Sequence, residues 1–407
     1  MSPPGSAGWR RREVDKLLAF GRSAALPRGG FGWLGADGAV DVGQPCPLYI
    51  NSRMTYVFAL AHLAGVPGAE PLAAAGIQAL LDRYADTASG GWFASVDVSG
   101  RVTDTTKSNY AHTTALLASC SAVTAGIGAA ETALAVTTAA IDQHFWSDAE
   151  GCARESWDAA FTESEPYRGA NSNMHSVEAY LVASDVTGDR VWRERAAAIA
   201  GRLIGEQARA HAWRVPEHYD ERWRPRPDYN SDRRHDQFRP YGTTPGHSFE
   251  WTRLLLALEA SMASAGPQPP SWLLDAATAL FGTAVADAWH RDGHPGPIYT
   301  VDENGQPVVS VRLHWVACEA VLAADALYRR TGDGRYARAA ATWWDEIDRY
   351  FIDRQHGGWW HELTPELVPS FTTVSGKPDL YHAYQALVFP SLPPSPAAAV
   401  ALAGHRP

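Results

Sequence analysis

The stretch P-G-H-S-F-E-W-T-R-L-L-L-A-L-E-A, residues 245–260, predicts a buried helix that begins with two titratable side chains. Pro245 suits the first turn of a helix, because no intrahelical partner exists there for a backbone N–H. The apolar run that follows indicates burial. His247 and Glu250 lie three residues apart and therefore share one face of this helix. Taken alone, the pair fits either a polar cap on a core helix or half of a catalytic site.

The same arrangement recurs six times along the chain. Motifs rich in glycine and aromatic residues return about every 60 residues, with one longer step of about 80 residues. They are centred on Gly30, Gly91, Gly151, Ala212, Gly293 and Gly358. A turn-rich stretch follows each motif, and two apolar or amphipathic helical runs come next.

Six loop–helix–helix units predict an all-α fold. We expect an (α/α)6 barrel of six inner and six outer helices, with short β-hairpin-like loops at the end that carries the active site; an open solenoid is the alternative. The prediction is one domain over residues 1–407, with a core of about residues 10–390 and a Pro/Ala-rich tail over 391–407. The fourth unit is longer, and its segment 221–245 is either a lid or a solvated insertion, in which only Arg239 is a candidate site residue.

The composition argues against several classes of protein. The net charge is −10 and the arginines are scattered, so neither nucleic acid nor an acidic membrane surface is an expected partner. No run approaches the roughly 20 apolar residues of a membrane helix, and the N-terminus lacks a secretion signal. The four cysteines are far apart, which indicates buried free thiols and a cytoplasmic protein. The 16 tryptophans, many of them in glycine-rich loops, favour sugar binding. No pattern indicates an oligomeric state.

The first helix of each unit begins with a basic or titratable residue. These residues are Arg53, His112, His175, His247, His314 and His382. In a closed barrel the six helix starts lie at one end, so their side chains would converge on a concave site. We expect structural roles for His112 and His314, and functional roles for the other three histidines.

Such residues suit proton transfer next to a carbonyl group. A histidine near a helix N-terminus favours the neutral form and can both take and give a proton. Glu250 is placed to orient His247, and Arg53 is placed to stabilise the negative charge of an enediolate. A glycosidase needs two carboxylates across the scissile bond, and no nucleophile elbow, P-loop or dinucleotide motif is present. A metal site formed by His175, Glu178, His247 and Glu250 is an open alternative.

Four stretches of the chain resemble the N-acylglucosamine 2-epimerase superfamily, and in particular its D-mannose isomerase and sulfoquinovose isomerase branch. They are L-Y-I-N-S-R-M-T-Y, R-G-A-N-S-N-M-H-S-V-E-A-Y, P-Y-G-T-T-P-G-H-S-F-E-W-T-R-L-L and G-K-P-D-L-Y-H-A-Y-Q-A, and they span residues 48–386. The resemblance implies an (α/α)6 barrel without metal or other cofactor. It also implies aldose–ketose isomerisation of a monosaccharide through a cis-enediolate. D-mannose and D-fructose are the expected pair of sugars.

The resemblance also implies roles for single residues. His382 would move a proton between C2 and C1, His247 held by Glu250 would open the sugar ring and shuttle protons among its oxygens, and Arg53 with His175 would bind O1 and O2. The residues implied to line the pocket are Asn171, Tyr110, Trp315, Arg239, Tyr49 and Asp379.

Several substrates and activities stay open at this point. Glu362, if it lies near C6, would repel a sulfonate and favour a plain hexose, with D-lyxose and D-xylulose as five-carbon counterparts. Sulfoquinovose isomerisation and epimerisation at C2 are alternatives within the superfamily. A metal-dependent isomerase and a non-catalytic sugar-binding barrel are further alternatives.

Overall fold

The computed structural model describes residues 2–266 and 268–404, and helices dominate it. In chain order the helices are α1 (Ala7–Gly21), α2 (Leu48–Leu63), α3 (Glu70–Ala79), α4 (Asn109–Thr124), α5 (Ala130–Ala140), α6 (Ala170–Thr187), α7 (Arg190–Ala200), α8 (Pro245–Ser264), α9 (Trp272–Ala288), α10 (His314–Thr331), α11 (Gly334–Glu346), α12 (Tyr381–Val388) and α13 (Ala398–Ala403).

Short strands lie in the loops between the helices. They are β1 (Cys46–Pro47), β2 (Ser95–Val96), β3 (Val102–Asp104), β4 (Lys107–Ser108), β5 (Trp146–Ser147), β6 (Cys152–Ala153), β7 (Ser156–Trp157), β8 (Tyr167–Gly169), β9 (His218–Asp220), β10 (Thr300–Val301), β11 (Pro307–Val309), β12 (Arg312–Leu313) and β13 (Glu362–Leu363). The pairs β2–β3, β5–β6 and β10–β11 are antiparallel hairpins, which confirms the predicted hairpin-like loops.

The chain divides into two compact units. The Arg53 unit comprises Gly21–Ile199, Pro378–Tyr381 and Ser395–Pro407, and the His247 unit comprises Met1–Phe20, Ala200–Lys377 and His382–Pro394. The expectation of a single domain over residues 1–407 stays a prediction.

In the Arg53 unit the helices form an inner and an outer layer. α2 packs against α4, and α4 packs against α6, while α3 and α5 each pack on the preceding inner helix. Nearly all residues of α2, α4 and α6 are buried, whereas α3 and α5 bury only one face. An apolar run without a polar face therefore gives an inner helix, and an amphipathic run gives an outer one.

The His247 unit repeats this arrangement. α8 packs against α10, and the outer helices α9 and α11 pack on α8 and α10 respectively. α8 begins at Pro245, as the sequence predicts. α6 in the other unit and α10 in this one end at Gly188 and Gly332, both with φ of 72°. This left-handed conformation terminates a helix at little cost in glycine.

The C-terminal tail, predicted over 391–407, is attached to the Arg53 unit through α13. This helix packs against α2 and α4, and the backbone N–H of Ala397 donates to Asp185 at 2.7 Å. Ala399 and Ala401 are buried. The tail is therefore an anchored segment and not a loose appendage as far as Gly404, and residues 405–407 lie outside the described residues.

Two predictions from composition can be compared with the structure. All four cysteines are buried and free, as expected. Among the described residues, no helix combines the length and the apolar character that crossing a bilayer requires.

Buried acid–base pairs precede four of the inner helices. In each pair a cation just ahead of the helix binds an acid of the preceding glycine-rich loop. The pairs are Lys107–Asp86, Arg168–Glu150, Arg312–Asp292 and Lys377–Asp353. Each cation is at most 5% exposed. A buried cation needs a nearby anion and hydrogen-bond acceptors, so these pairs hold each loop against the start of the next helix.

The two lysine pairs share the same geometry. Lys107 Nζ donates to the Asp86 carboxylate at 2.9 Å and to the carbonyl of Gly90 at 3.0 Å, and it lies 4.2 Å from the ring centre of Phe93. Lys377 binds Asp353, donates to the carbonyl of Gly357 at 2.9 Å and lies 3.9 Å from a Trp360 ring centre. Burial lowers the pKa of Lys107, and the bond to Asp86 offsets this only in part.

We expect Lys107→Met to lower the free energy of unfolding by about 3–5 kcal/mol, because it leaves the Asp86 carboxylate buried without its cation. Urea unfolding followed by circular dichroism measures the change. Lys16→Met is the control: its side chain is 67% exposed, so its loss should cost about 1 kcal/mol or less. Adding Asp86→Leu to Lys107→Met should recover part of the loss. Equal effects of the two lysine substitutions would contradict the structural role of the pair.

Candidate active site

Two imidazoles and one indole lie together in the His247 unit. His247 is in the first turn of α8, His382 is in the first turn of α12, and Trp315 is the second residue of α10. The ring centre of Trp315 lies 5.1 Å from that of His247 and 5.8 Å from that of His382. The histidines are buried, whereas Trp315 is partly exposed. This cluster therefore combines two proton-transferring groups with a flat apolar surface of the kind that contacts sugars.

Gly246 allows α8 to approach Trp315 closely. A Cβ atom at position 246 would lie 2.5 Å from the indole and 2.8 Å from the side chain of Val316. The indole in turn lies edge-on to Tyr299, at 6.2 Å, which belongs to a small apolar cluster beneath it. The two residues of the Pro-Gly pair that opens α8 thus have separate roles: proline suits the helix start, and glycine leaves room for the indole.

The carboxylate bound to His247 is Glu217. Its Oε1 atom lies 2.9 Å from His247 Nδ1 and also accepts the backbone N–H of Thr244 at 3.3 Å. Because a carboxylate accepts, Nδ1–H donates, which leaves Nε2 as the nitrogen for proton exchange. The expectation that Glu250 orients His247 is therefore corrected. Helical spacing places Glu250 on the same face, but the Nδ1 bond goes to a residue 30 positions earlier in the chain.

His382 has a carboxylate partner of its own. Glu319 of α10 lies with Oε1 2.9 Å from His382 Nδ1. The other oxygen of Glu319 accepts from Arg253 Nε at 3.1 Å, and Arg253 Nη2 lies 3.5 Å from Glu250. Each imidazole therefore has its Nδ1 held by a glutamate.

The donor set disfavours a metal ion at the cluster formed by Glu250, Glu319 and His382. Ligand atoms of Glu250, Glu319 and His382 come within 4.8 Å of one another, which is close enough to bind a cation. However, the guanidinium of Arg253 already contacts both carboxylates. The guanidinium thus offsets part of the negative charge that would attract a divalent ion.

Arg239 is anchored in the long segment of the fourth unit. Its Nη1 donates to the hydroxyl of Tyr229 at 3.3 Å, and its carbonyl accepts from Asn230 at 2.7 Å. His218 donates through Nε2 to the carbonyl of Pro240 at 2.7 Å. Burial, together with neighbouring Arg239 and His247, lowers the pKa of His218.

The end of the long segment is tied to β10. Thr243 and Val301 exchange both backbone hydrogen bonds, at 2.8 and 3.0 Å. Segment 221–245 is therefore held by specific contacts within its unit. Its predicted role as a lid stays a prediction.

Arg53 is the centre of a second polar cluster, in the Arg53 unit. It lies in the second turn of α2, and its Nη1 donates to Asp379 at 3.1 Å. Its guanidinium carbon lies 4.6 Å from the ring centre of Tyr381 and under 6 Å from those of Tyr49 and Tyr110. Burial alone would lower the pKa of Arg53, but Tyr110, Asp379 and the other tyrosines raise it on balance. The guanidinium is therefore a fixed positive charge among aromatic rings.

His175 lies beside the same tyrosines. Its imidazole is edge-on to Tyr110, with ring centres 5.0 Å apart, and 6.4 Å from the ring of Tyr381. Tyr381 donates a short hydrogen bond to Glu178, one turn after His175 on α6. Asn171 lies in the first turn of α6 and is partly exposed. Within this unit the structure thus gathers Arg53, Asp379, Tyr49, Tyr110 and His175.

His112 has the structural role that the sequence predicts. Its Nδ1 donates to the carbonyl of Ser108 at 2.7 Å, and its Nε2 accepts the backbone N–H of Trp92 at 3.1 Å. Burial lowers its pKa to about 3. His112 is therefore a neutral group that joins α4 to the preceding loop. His314 stacks on His361 with ring centres 3.9 Å apart.

Glu362 does not act as the sequence suggested. Its carboxylate accepts the backbone N–H groups of Thr372, Thr373 and Val374 and the hydroxyl of Ser370, at 2.6–3.0 Å. It is 1% exposed. A carboxylate with four internal donors organises its own loop. The expectation that Glu362 excludes a sulfonated sugar at C6 is therefore corrected.

Sequence patterns missed three residues of these clusters. Glu217, Arg253 and Tyr381 contact His247, Glu319 and Arg53 respectively. Arg253 and Tyr381 belong to stretches already singled out, one turn after Glu250 and next to His382, so their position in the chain was a usable signal. Glu217 directly precedes the short strand β9 in an irregular loop, and no spacing rule points to it.

Comparison with known proteins gives three strong matches. The profile of the N-acylglucosamine 2-epimerase (GlcNAc 2-epimerase) family matches residues 29–386. A D-mannose isomerase from Thermobifida fusca is 49% identical over 396 residues, which cover 97% of this chain and 96% of that protein. A D-mannose isomerase from Pseudomonas cannabina pv. alisalensis is 46% identical, with coverage of 98% and 96%.

Solved structures support the predicted fold class. A crystal structure of a D-mannose isomerase superimposes with a TM-score of 0.88 and 29% identity, over 96% of this chain and 99% of that one. The all-α helical-barrel class predicted from the six repeats is thereby confirmed.

We expect Gly246→Ala to destabilise the protein by about 1–3 kcal/mol, because the added methyl group overpacks the contact with Trp315. The matched control is Gly282→Ala in α9, where a Cβ meets nothing within 4 Å and alanine should stabilise by about 0.5–1 kcal/mol. Urea midpoints give both values. Trp315→Leu in the Gly246→Ala background should relieve the clash, and effects of the same sign at 246 and 282 would contradict this account.

Proposed function

The chain belongs to the N-acylglucosamine 2-epimerase family, and on that basis we propose that it is an aldose–ketose isomerase that interconverts D-mannose and D-fructose. The observation that carries the proposal is the pair of histidine–glutamate dyads beside Trp315, His247–Glu217 and His382–Glu319. Isomerisation moves one proton between carbons and another between oxygens, so two independent proton carriers are what the reaction requires.

His382 takes the proton from C2 of the open-chain aldose. Its Nδ1–H is held by Glu319, so Nε2 is the nitrogen assigned to act as the base. Removal of the C2 proton converts the C1 carbonyl and C2 into a cis-enediolate, and the resulting imidazolium returns the proton to C1. The ionised Glu319 stabilises the imidazolium while it exists.

His247 moves protons among the sugar oxygens. It gives a proton to the ring oxygen during opening and takes up the proton that O1 releases as the C1 carbonyl forms. It then transfers the O2 proton to O1 so that the C2–O2 bond becomes the ketose carbonyl. Glu217 holds Nδ1–H and stabilises the charged form between these steps. The number of protons on the enzyme is unchanged after one turnover.

Arg53 and His175 are assigned to O1 and O2 of the sugar by family resemblance, and this assignment stays a prediction. Its support within the Arg53 unit is that Arg53 is a fixed cation bound to Asp379. Such a charge suits stabilisation of an enediolate oxygen. Asp379 is then a residue that positions Arg53, and the tyrosines at 49 and 110 supply aromatic surface beside it.

The choice of mannose rests on the named relatives at 46–49% identity over nearly the whole chain. D-lyxose and D-xylulose differ only by the absence of C6 and are included as secondary substrates. The reaction needs no redox step and no Lewis acid in this scheme, and the guanidinium of Arg253 between two carboxylates supports a metal-independent site.

The experiment that tests the proposal is proton NMR of D-mannose with the enzyme in D₂O. We expect fructose to appear, with deuterium incorporated at C1 or C2, and His382→Ala to lose about 10²–10⁴-fold in kcat, as is usual on removal of a general base. Prolonged EDTA treatment should leave the rate unchanged. The matched panel contains D-glucose, D-lyxose and sulfoquinovose.

Other outcomes of the same experiment identify other functions. Glucose formed from mannose without fructose would indicate a 2-epimerase. Turnover of sulfoquinovose alone would move the substrate class to sulfonated sugars. Saturable binding without hydrogen exchange would indicate a non-catalytic sugar-binding protein, and activity restored by Mn²⁺ after EDTA would indicate a metal enzyme.

We expect Glu217→Gln to lower kcat for mannose at least about tenfold, because glutamine still accepts from Nδ1–H but no longer stabilises the charged imidazole of His247. Initial rates at saturating mannose measure the change. Glu346→Gln is the control: this glutamate also accepts one hydrogen bond from a ring N–H, that of Trp289 at 3.2 Å, and takes no part in proton transfer. Unchanged kcat in Glu217→Gln would contradict the role of the dyad.

A further inference from the structure

The two dyads differ in what lies behind the glutamate. Glu217 accepts from His247 and from the backbone N–H of Thr244. Glu319 accepts from His382 through one oxygen and from Arg253 through the other, at 2.9 and 3.1 Å. The charge of Glu319 is therefore shared with a guanidinium.

The environment of the Arg253 cluster makes this difference strong. Arg253 is 9% exposed, Glu319 and Glu250 are 0% exposed, and His382 is 5% exposed. In such a poorly solvated place, charges interact more strongly than they do in water. Nη2 of Arg253 also lies 3.5 Å from Glu250, so one guanidinium contacts two buried carboxylates.

We propose that Arg253 is a positioning residue for His382, the carbon base. It holds Glu319 against Nδ1 of His382 and shares the charge of that glutamate, so that Glu319 stabilises the imidazolium of His382 less than an unshared carboxylate would. The proposal rests on the proposed isomerase function.

The other charged or titratable groups around His382 in its unit are consistent with this role. From α10, His314 lies 6.4 Å away between ring centres and stacks on His361. From α8, Glu250 comes within 4.8 Å of His382 through their ligand atoms. Trp315 contacts the imidazoles of both His247 and His382. Arg253 is thus the arginine that faces the carboxylates on this side, and His218 is the further titratable neighbour of His247.

The test is the pH dependence of kcat/KM for D-mannose in Arg253→Met. Without the guanidinium, the full charge of Glu319 acts on His382, so the base is protonated at higher pH. We expect the acid limb of the profile to move up by about one pH unit and kcat to fall at least about tenfold. Arg253→Lys, which keeps the charge but loses the two-sided contact, should restore the position of the limb in part.

A second readout reports on the hydrogen bond itself. The Nδ1–H proton of His382, bound to Glu319, should give a downfield proton NMR resonance that disappears in His382→Gln. In Arg253→Met we expect this resonance to shift or broaden. If Arg253→Met folds poorly, the same resonance can be followed in Arg253→Lys, and the proposal stays testable.

The control is Arg330→Met. Arg330 of α10 pairs with Glu259 of α8 at 2.7 Å, so this substitution removes another ion pair between the same two helices, far from the imidazoles. It should leave the pH profile and the resonance unchanged. A profile of Arg253→Met that matches the parent protein, or one that Arg330→Met shifts equally, would overturn the proposal.

Failure of the proposal is distinguishable from failure of the proposed function. If the parent protein forms no fructose from mannose, the function is wrong, and no profile is obtained. If the parent protein isomerises mannose and Arg253→Met keeps the parent limb and resonance, only the role of Arg253 is wrong.

Discussion

A buried cation bound to an acid of the preceding loop recurs ahead of four inner helices, and the placement of the histidines on these helices depends on it. Lys107, Arg168, Arg312 and Lys377 each lie just before a helix that carries histidine in its first two turns. Burying such a charge is costly unless its partner is held in place, so each pair couples loop conformation to helix start. The loop before α8 is attached differently, because Glu217 binds His247 directly and accepts the backbone N–H of Thr244.

Proton transfer in the His247 unit also depends on how buried charges are paired. Each imidazole has its Nδ1 held by a glutamate, and the proposal assigns proton exchange with the substrate to Nε2. Arg253 contacts both Glu250 and Glu319. Close packing around Trp315, made possible by Gly246, brings both imidazoles to one flat apolar surface. In a family that catalyses chemistry on sugars, these features favour an isomerase with two proton carriers.

Much of the fold could be predicted from the chain alone. The regular spacing of glycine–aromatic motifs and the alternation of apolar and amphipathic runs reflect local backbone preferences, so they predicted the helix pairs, the inner and outer layers and the hairpin loops. The histidines at helix starts were also readable, since helical periodicity places them. The resemblance of the motifs identified the family, because each motif is a contiguous stretch that can be recognised in the sequence itself.

Tertiary structure decided which group contacts which. Helical spacing suggested Glu250 as the partner of His247, yet Glu217 holds that bond, and the carboxylate of Glu362 binds its own loop. Arg253 and Tyr381 acquired meaning only from Glu319 and Arg53, which lie far from them in the chain. The physical reason is that a side-chain hydrogen bond depends on distances of a few tenths of an ångström between separate elements. Periodicity determines the face of a helix, whereas the packing of helices and loops determines the partner.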